Sequence, residues 1–327
     1  MKLLLTNAGS YPRIGDTAEL QQLRRTHTAL ERRQASEDDL RAAEEALVRA
    51  ALAEQVEAGL DLVTDGLIRW YDPISHLAGK LDGIQIAGLL RFFDTNFYFR
   101  QPVARAEIAR RNGLVLSEYE FARAHSAKPV KPVLTGPYTL ARHTISEHAP
   151  YKQLEPITRA YAQALAPELT ALAQAGAEVI QLDEPAILRR PVDLPVLERA
   201  LMMLAKHKGR AQLALSVYFG DPQPLYARLQ KLPVDILGLD FTYNPKLVDH
   251  VVTVGSDKPL ALGLVDGRNT RLEDPDTVAR QVDRILMRVG GVCHLSPSCG
   301  LEYLPRDRAF AKLKLLSQVR AHLKGAQ

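Results

Sequence analysis

Short apolar runs alternate with longer amphipathic stretches along the whole chain. The apolar runs are Lys2–Thr6, Leu60–Thr64, Val130–Thr135, Glu178–Leu182, Gln212–Tyr218, Asp235–Asp240, Pro259–Val265 and Gly291–Leu295. Most are apolar throughout, without strict alternation, as parallel strands covered on both faces should be. Between them the period changes to that of helices. Ser36-Glu37-Asp38-Asp39 reads as a capping box opening a helix through Leu40–Ala58, and Gly59 stops it. Further helices are expected at Pro156–Ala175, Leu194–His207, Thr277–Val289 and Pro305–Leu323. Strand followed by helix, repeated eight times, predicts an α/β fold of the (β/α)8 barrel type. No glycine-rich phosphate loop follows an early strand, which argues against a dinucleotide-binding open sheet.

One stretch breaks the rhythm. Trp70–His125 carries Pro73, the run Leu89-Leu90-Arg91-Phe92-Phe93, Tyr98-Phe99 and Gln101-Pro102 before the next strand. It is a long insertion after the second strand, which either caps an active-site face or only covers the barrel mouth. No linker or low-complexity segment separates a second domain, so residues 1–327 are expected to form one barrel domain.

Composition narrows the class. The 327 residues are 46% hydrophobic and 24% charged, ordinary for a globular protein. The net charge of +4 is scattered, too weak for a nucleic-acid footprint, and slightly favours anionic ligands. Two cysteines make no disulfide framework and suit a reducing compartment. Met1-Lys2-Leu3-Leu4-Leu5 begins like a signal peptide, but Thr6-Asn7 ends the apolar run too early. No stretch is long enough to span a membrane. A cytoplasmic protein acting on small molecules is expected; its oligomeric state is open.

The candidate chemistry sits where the strands end. Gln181-Leu182-Asp183-Glu184-Pro185 closes one strand, and Ser296-Pro297-Ser298-Cys299-Gly300-Leu301 follows another. A barrel builds its active site at the C-terminal ends of its strands, so Asp183 and Cys299 are the first candidates. Cys299 suits a thiolate ligand or nucleophile; a buried hydrophobe-like cysteine is the plainer alternative. Other strand ends carry Gly9-Ser10-Tyr11-Pro12-Arg13, Asp65-Gly66-Leu67, Leu134-Thr135-Gly136-Pro137-Tyr138-Thr139 and Val265-Asp266-Gly267.

In this order and spacing, these motifs resemble the C-terminal catalytic barrel of the cobalamin-independent methionine synthases, in the short form that lacks the duplicated N-terminal half. The resemblance spans essentially the whole chain. It implies transfer of a methyl group from a methylfolate, or from a methylcorrinoid that a partner corrinoid protein would carry, to the sulfur of homocysteine or a related small thiol or amino acid. It also implies zinc held by a His-x-Cys pair, a Glu and a C-terminal Cys, a sulfur-rich set that stabilises the substrate thiolate.

Carried over by position, Ser10 and Asp183 hold the amino-acid acceptor, and Cys299 is the last zinc ligand. Asp240 stands at the Glu ligand, one methylene shorter. Ser216 and Tyr218 replace the His-x-Cys pair, so the resemblance implies a degenerate zinc site with two ligands left. Cys293 and His294 offer no obvious rescue: Cys293 lies too far along the strand, and His294 faces the other way from it. Leu67 replaces an ammonium-gripping carboxylate. His143 stands where a folate-stacking Trp is expected and is either a stacking group or a solvated helix residue. Arg268 replaces a mobile histidine and does not titrate near neutrality. Trp70, beside Arg69, either stacks on a planar ligand or anchors the insertion.

The candidate catalytic residues are therefore Asp183, Cys299, Tyr218 and Arg268. Ser10, Asp65, Asp183, Glu184, His143 and Trp70 are the candidate substrate-binding residues. Lys128–Pro132 is expected at the barrel bottom, and His76, His125 and His148 on the surface. Two further readings stay open: a metal-independent lyase or decarboxylase, as in the uroporphyrinogen-decarboxylase-like relatives, with Arg268, Arg69 and Tyr218 on a carboxylated substrate, and a barrel that only binds its ligand.

Overall fold

The computed structural model describes residues 3–323. Its strands are β1 (Leu3–Leu5), β2 (Leu81–Arg91), β3 (Tyr98–Arg110), β4 (Val133–Thr135), β5 (Ile145–Ser146), β6 (Val179–Asp183), β7 (Gln212–Val217), β8 (Ile236–Asp240), β9 (Leu260–Val265) and β10 (Cys293–Pro297). Seven form one parallel sheet in the order β1-β10-β9-β8-β7-β6-β4. The gap between its edges is filled by the second predicted run. There Thr6 bridges Leu62 and Val63 bridges Val130, both in parallel. Eight staves thus close a (β/α)8 barrel, the second so thin that it pairs at single residues.

The helices form where the sequence places them, with ends shifted by a few residues. Glu37–Glu57 starts at the Ser36–Asp39 capping box and buries Leu40, Ala43, Leu47, Val48, Ala51 and Leu52. These recur at helical spacing, so one stripe faces the barrel while the acidic and basic residues stay in water. Asp274 caps Pro275–Leu286 by accepting from the Thr277 N–H.

Inside the ring the side chains change character with height. Residues two apart on a strand share a face. At the bottom, Val179, Ala214 and Ile236 cluster with Leu62 and Ala261. One layer up stand Gln181, Ser216, Gly238 and Ser296, around a small cavity of about 20 Å³. Two residues further on come Asp183, Tyr218, Asp240 and Ser298. The inward face thus runs from apolar to charged as it approaches the C-terminal ends of the strands.

The insertion is a helical turn (Ser75–Ala78), the antiparallel hairpin β2–β3, to which β5 adds in parallel, and the helix Leu116–Ala124. Its tip roofs the barrel mouth. Phe92 packs edge-on against Phe99 and Phe219 and tilts against His143, and Phe97 packs on Tyr303. Phe92 and Phe99 are 1% and 2% exposed, so the roof is packed like a core. Phe219 adopts a left-handed φ of 64°, a strained conformation for an aromatic residue, in order to face this cluster.

Candidate active site

Asp183 sits at the end of β6 and is fixed from both sides. Gln181 Nε2 donates to its Oδ1 at 2.7 Å, and Tyr218 Oη donates to its Oδ2 at 3.1 Å. The Gln181 amide is itself oriented. Its Oε1 accepts from Lys131 Nζ at 2.5 Å, and its Nε2 also donates to the Ala8 carbonyl at 2.6 Å. A glutamine oxygen can only accept, so the lysine forces the amide NH2 toward Asp183. Burial raises Asp183 to about 6 against the pull of these two donors, and burial brings Lys131 down to about 8. The β4–β6 register puts Lys131 level with Val179 at the bottom of the ring, as expected of the Lys128–Pro132 stretch. Its 4%-exposed side chain enters the ring and also donates to the Asn7 carbonyl at 3.0 Å.

Cys299 lies two residues beyond β10, 1% exposed, its thiol against the Gly300 carbonyl at 3.5 Å. Burial first, then the Asp240 and Glu302 carboxylates, push it well above the usual thiol range. Asp240 ends β8. Its Oδ1 accepts from Thr242 N at 2.9 Å, Thr242 Oγ1 at 2.7 Å and Tyr243 N at 3.1 Å. Its Oδ2 is buried without a hydrogen-bond partner and faces the Arg268 guanidinium at 3.7 Å. Arg268 is tied down by Asp266 at 3.1 Å and Thr242 Oγ1 at 2.8 Å.

These donors do not fit zinc. Ser216 lines the cavity inside the ring, and Tyr218 is turned to Asp183. One oxygen of Asp240 is saturated, and the other faces a permanent cation that would repel a metal ion. Cys293 packs in the apolar core and His294 is held near 4 by burial and by Lys131, so neither completes a site with Cys299. Among the described residues no three His, Cys, Asp or Glu side chains are grouped to hold a metal.

The remaining candidates divide by position. Ser10 is at the mouth, where its carbonyl accepts from Leu301 N at 3.0 Å. Glu184 turns to the opening of Pro137–Arg142 and accepts from Tyr138 N at 2.9 Å and Thr139 N at 2.7 Å; burial still raises it to about 7. Its carboxylate lies where a Gly136 side chain would be, so glycine is required there. Asp65 accepts from Leu67 N at 3.0 Å and lines a separate pocket with Trp70 and Glu118. Trp70 donates to Glu118 at 3.0 Å and stacks on His76 at 4.8 Å, anchoring the insertion. His143 is inside the roof, 5.0 Å from Phe99, rather than solvated.

Two other residues lie elsewhere than expected. His76 is half-buried, its side chain enclosed against Glu118 at 2.9 Å, instead of lying free on the surface. Arg69 pairs with Glu44 at 3.8 Å and lies over the Phe121 ring, away from the mouth.

The structure adds Glu302, which sequence reasoning passed over. Its Oε2 is buried and unpartnered, and it faces a cavity of about 30 Å³ with Ser10 and Arg13. Arg13 donates to the Trp70 carbonyl and, at 3.2 Å, to that of Tyr71. The available signal was Gly300: any side chain there would collide with Ser10 Oγ and Glu302 Oε2.

Residues 3–322 match the family model described as the catalytic domain of cobalamin-independent synthase. A methionine synthase of Saccharolobus islandicus is 31% identical over 311 residues, covering 94% of this chain and 91% of that protein. One of Sulfurisphaera tokodaii is 31% identical over 314 residues, covering 94% and 88%. Among solved structures, the B12-independent methionine synthase of Shewanella sp. W3-18-1 in complex with selenomethionine aligns with a TM-score of 0.79 over 98% of this chain and 97% of that one, at 20% identity. A methyltransferase from Methanosarcina mazei aligns at 0.65 over 96% and 94%, at 15% identity.

Proposed function

Because the chain belongs to the family of cobalamin-independent synthase catalytic domains, we propose that it methylates the sulfur of homocysteine or a closely related amino thiol. The methyl donor would be a methylfolate or a methylcorrinoid carried by a partner protein. One observation carries the reading: a half-buried carboxylate, Asp183, is held in fixed orientation at the barrel mouth by Gln181 and Tyr218. Such a group matches the ammonium of an amino acid and leaves the sulfur to approach the Cys299 side.

The chemistry is a displacement. The thiolate sulfur forms a bond to the methyl carbon while the bond from that carbon to the donor breaks, and the electron pair leaves with the donor. A free thiol has a pKa of about 8.5, so it must lose its proton first. The family's zinc would aid that loss, but the residues present do not fit the ion, and no step is assigned to it. The protein's part is to bind and orient the acceptor and, through the Phe92, Phe93 and Phe219 roof, to exclude water. His143 is enclosed in that roof, so stacking on a folate ring would require the hairpin to lift.

The test is methyl transfer itself. Purified protein is supplied with homocysteine and either methyltetrahydrofolate or methylcobalamin, and methionine is quantified by mass spectrometry. Methionine formed at a rate above the enzyme-free reaction, and lost in Asp183→Asn, supports the reading. No methionine from either donor counts against it.

A further inference from the structure

We propose that the protein has a second ligand site, in the cavity between the loops after β8 and β9 and the helix Pro275–Leu286, and that it takes a small organic monocarboxylate with a flat apolar body. The site is independent of the methyl transfer argued above.

The cavity has a volume of about 480 Å³ and shares no lining residue with the small cavity that Ser10 and Glu302 line at the mouth. That size is ordinary for a small-molecule pocket, roughly 300–1,000 Å³. Phe241, Leu264 and Val278 line it and are buried, so its floor is apolar. Leu272 also lines it and is 42% exposed, an apolar surface that an occupant would take out of water.

The walls are braced without a ligand. Glu273 Oε1 accepts from Asp266 N at 2.8 Å and from Lys312 Nζ at 3.0 Å. Asn269 Nδ2 donates to Asp266 Oδ2 at 2.6 Å, so the loop after β9 is closed on itself. On the helix, Gln281 stands four residues from Thr277 and three from Val278, and all three line the cavity from one face. A site held this way loses little entropy when it is filled.

Charge then selects the ligand. Three carboxylates line the cavity, and each is already matched. Asp266 pairs with Arg268 at 3.1 Å, Glu273 pairs with Lys312, and Asp274 accepts from the Thr277 N–H at 2.9 Å and hydroxyl at 2.6 Å. Arg271 is the cation of the lining. Its N–H donates to Asn269 Oδ1 at 3.0 Å and its carbonyl accepts from Lys312 at 2.7 Å. Among the described residues, however, its guanidinium has no partner, and neither has the Gln281 amide. A guanidinium takes a carboxylate through two parallel hydrogen bonds. A phosphate dianion would meet repulsion from the three carboxylates and gain nothing from the apolar floor.

The experiment is calorimetry on wild type, Arg271→Gln and Gln281→Trp, with 2-naphthoate as the probe. The comparison ligands are 2-naphthalenemethanol, which keeps the rings without the charge, acetate and inorganic phosphate. Wild type should bind one 2-naphthoate per chain, more tightly than any comparison ligand. Arg271→Gln should weaken 2-naphthoate on the order of 10-fold and leave the alcohol within about twofold. Gln281→Trp, which fills the cavity, should weaken both. Wild type that does not bind 2-naphthoate, equal affinity for phosphate, or affinity unchanged in either variant overturns the site. Displacement of the probe by homocysteine also overturns it, since the probe would then lie at the mouth. A crystal soaked in 2-naphthoate decides without any variant: the probe against Arg271 supports the site, and the probe elsewhere overturns it.

Discussion

The Arg268 guanidinium lies 3.7 Å from the buried Oδ2 of Asp240, at the position where the family resemblance implies a zinc ligand. A fixed monovalent cation compensates the carboxylate there. Asp266 holds the same arginine by its Nε at 3.1 Å, so the charge is built into the loop after β9. The family resemblance implies zinc; this chain's own side chains supply a guanidinium in its place.

It follows that restoring the missing pair alone will not restore the metal. Ser216→His with Tyr218→Cys places two ligands on the same face of β7, but Arg268 still repels a divalent ion. Adding Arg268→Ala should allow one tightly bound zinc, lost again on Cys299→Ser. Metal content after dialysis checks this. Zinc in the double variant as tight as in the triple would show that Arg268 is no barrier.

Asp183→Asn should weaken binding of an amino-acid acceptor by about 2–4 kcal/mol, because a partly buried ammonium loses its counter-charge. The fold should change little, since the amide can keep one of the two hydrogen bonds. Calorimetry with homocysteine reads the effect, and unchanged affinity would remove Asp183 from the site.

The same site sets a pH dependence. Asp183 is raised to about 6 by burial, so the ionised form that matches an ammonium predominates only above that pH. Acceptor affinity should fall as pH drops through about 6. Lys131→Met removes the charge that orients Gln181 and should move the fall to higher pH, whereas a purely structural lysine would leave its midpoint in place.

Glu302 carries a stability cost of definite sign. Its folded pKa, about 7, lies above the ordinary value of 4.5, so the fold favours the protonated form. That favour is complete below 4.5 and is lost as pH rises through about 7. Glu302→Gln should therefore be more stable than wild type at pH 8, on the order of 1–3 kcal/mol, and nearly equal to it at pH 4. Urea unfolding at the two pH values gives the comparison; a variant less stable at pH 8 would mean that Glu302 is satisfied in the folded state.

The barrel was legible because its signals are local. Ser36 and Asp39 announce a helix start, and apolar runs of five to seven residues mark β6 through β9. The second stave was legible too, although it pairs only at Leu62 and Val63. The place of Asp183, Cys299 and Asp240 at the mouth was legible because strand ends are fixed points in such a fold. Glu302 was not, because it lies on a loop, where no period relates a side chain to a face. The height of Lys131 was legible, but not its burial, which the interior carbonyl of Asn7 and the amide of Gln181 make tolerable. The roof depends on contacts between segments far apart in sequence, such as Phe92 and Phe219, which neither segment reveals alone.

The most direct test of methyl transfer without the family's zinc is turnover by metal-free protein. Chelator-dialysed enzyme, its zinc content measured, is given homocysteine with methyltetrahydrofolate or methylcobalamin, and methionine is counted. Methionine is expected at an undiminished rate with well under one zinc per chain. One zinc per chain that survives the dialysis, or turnover that returns only when zinc is added, would contradict it.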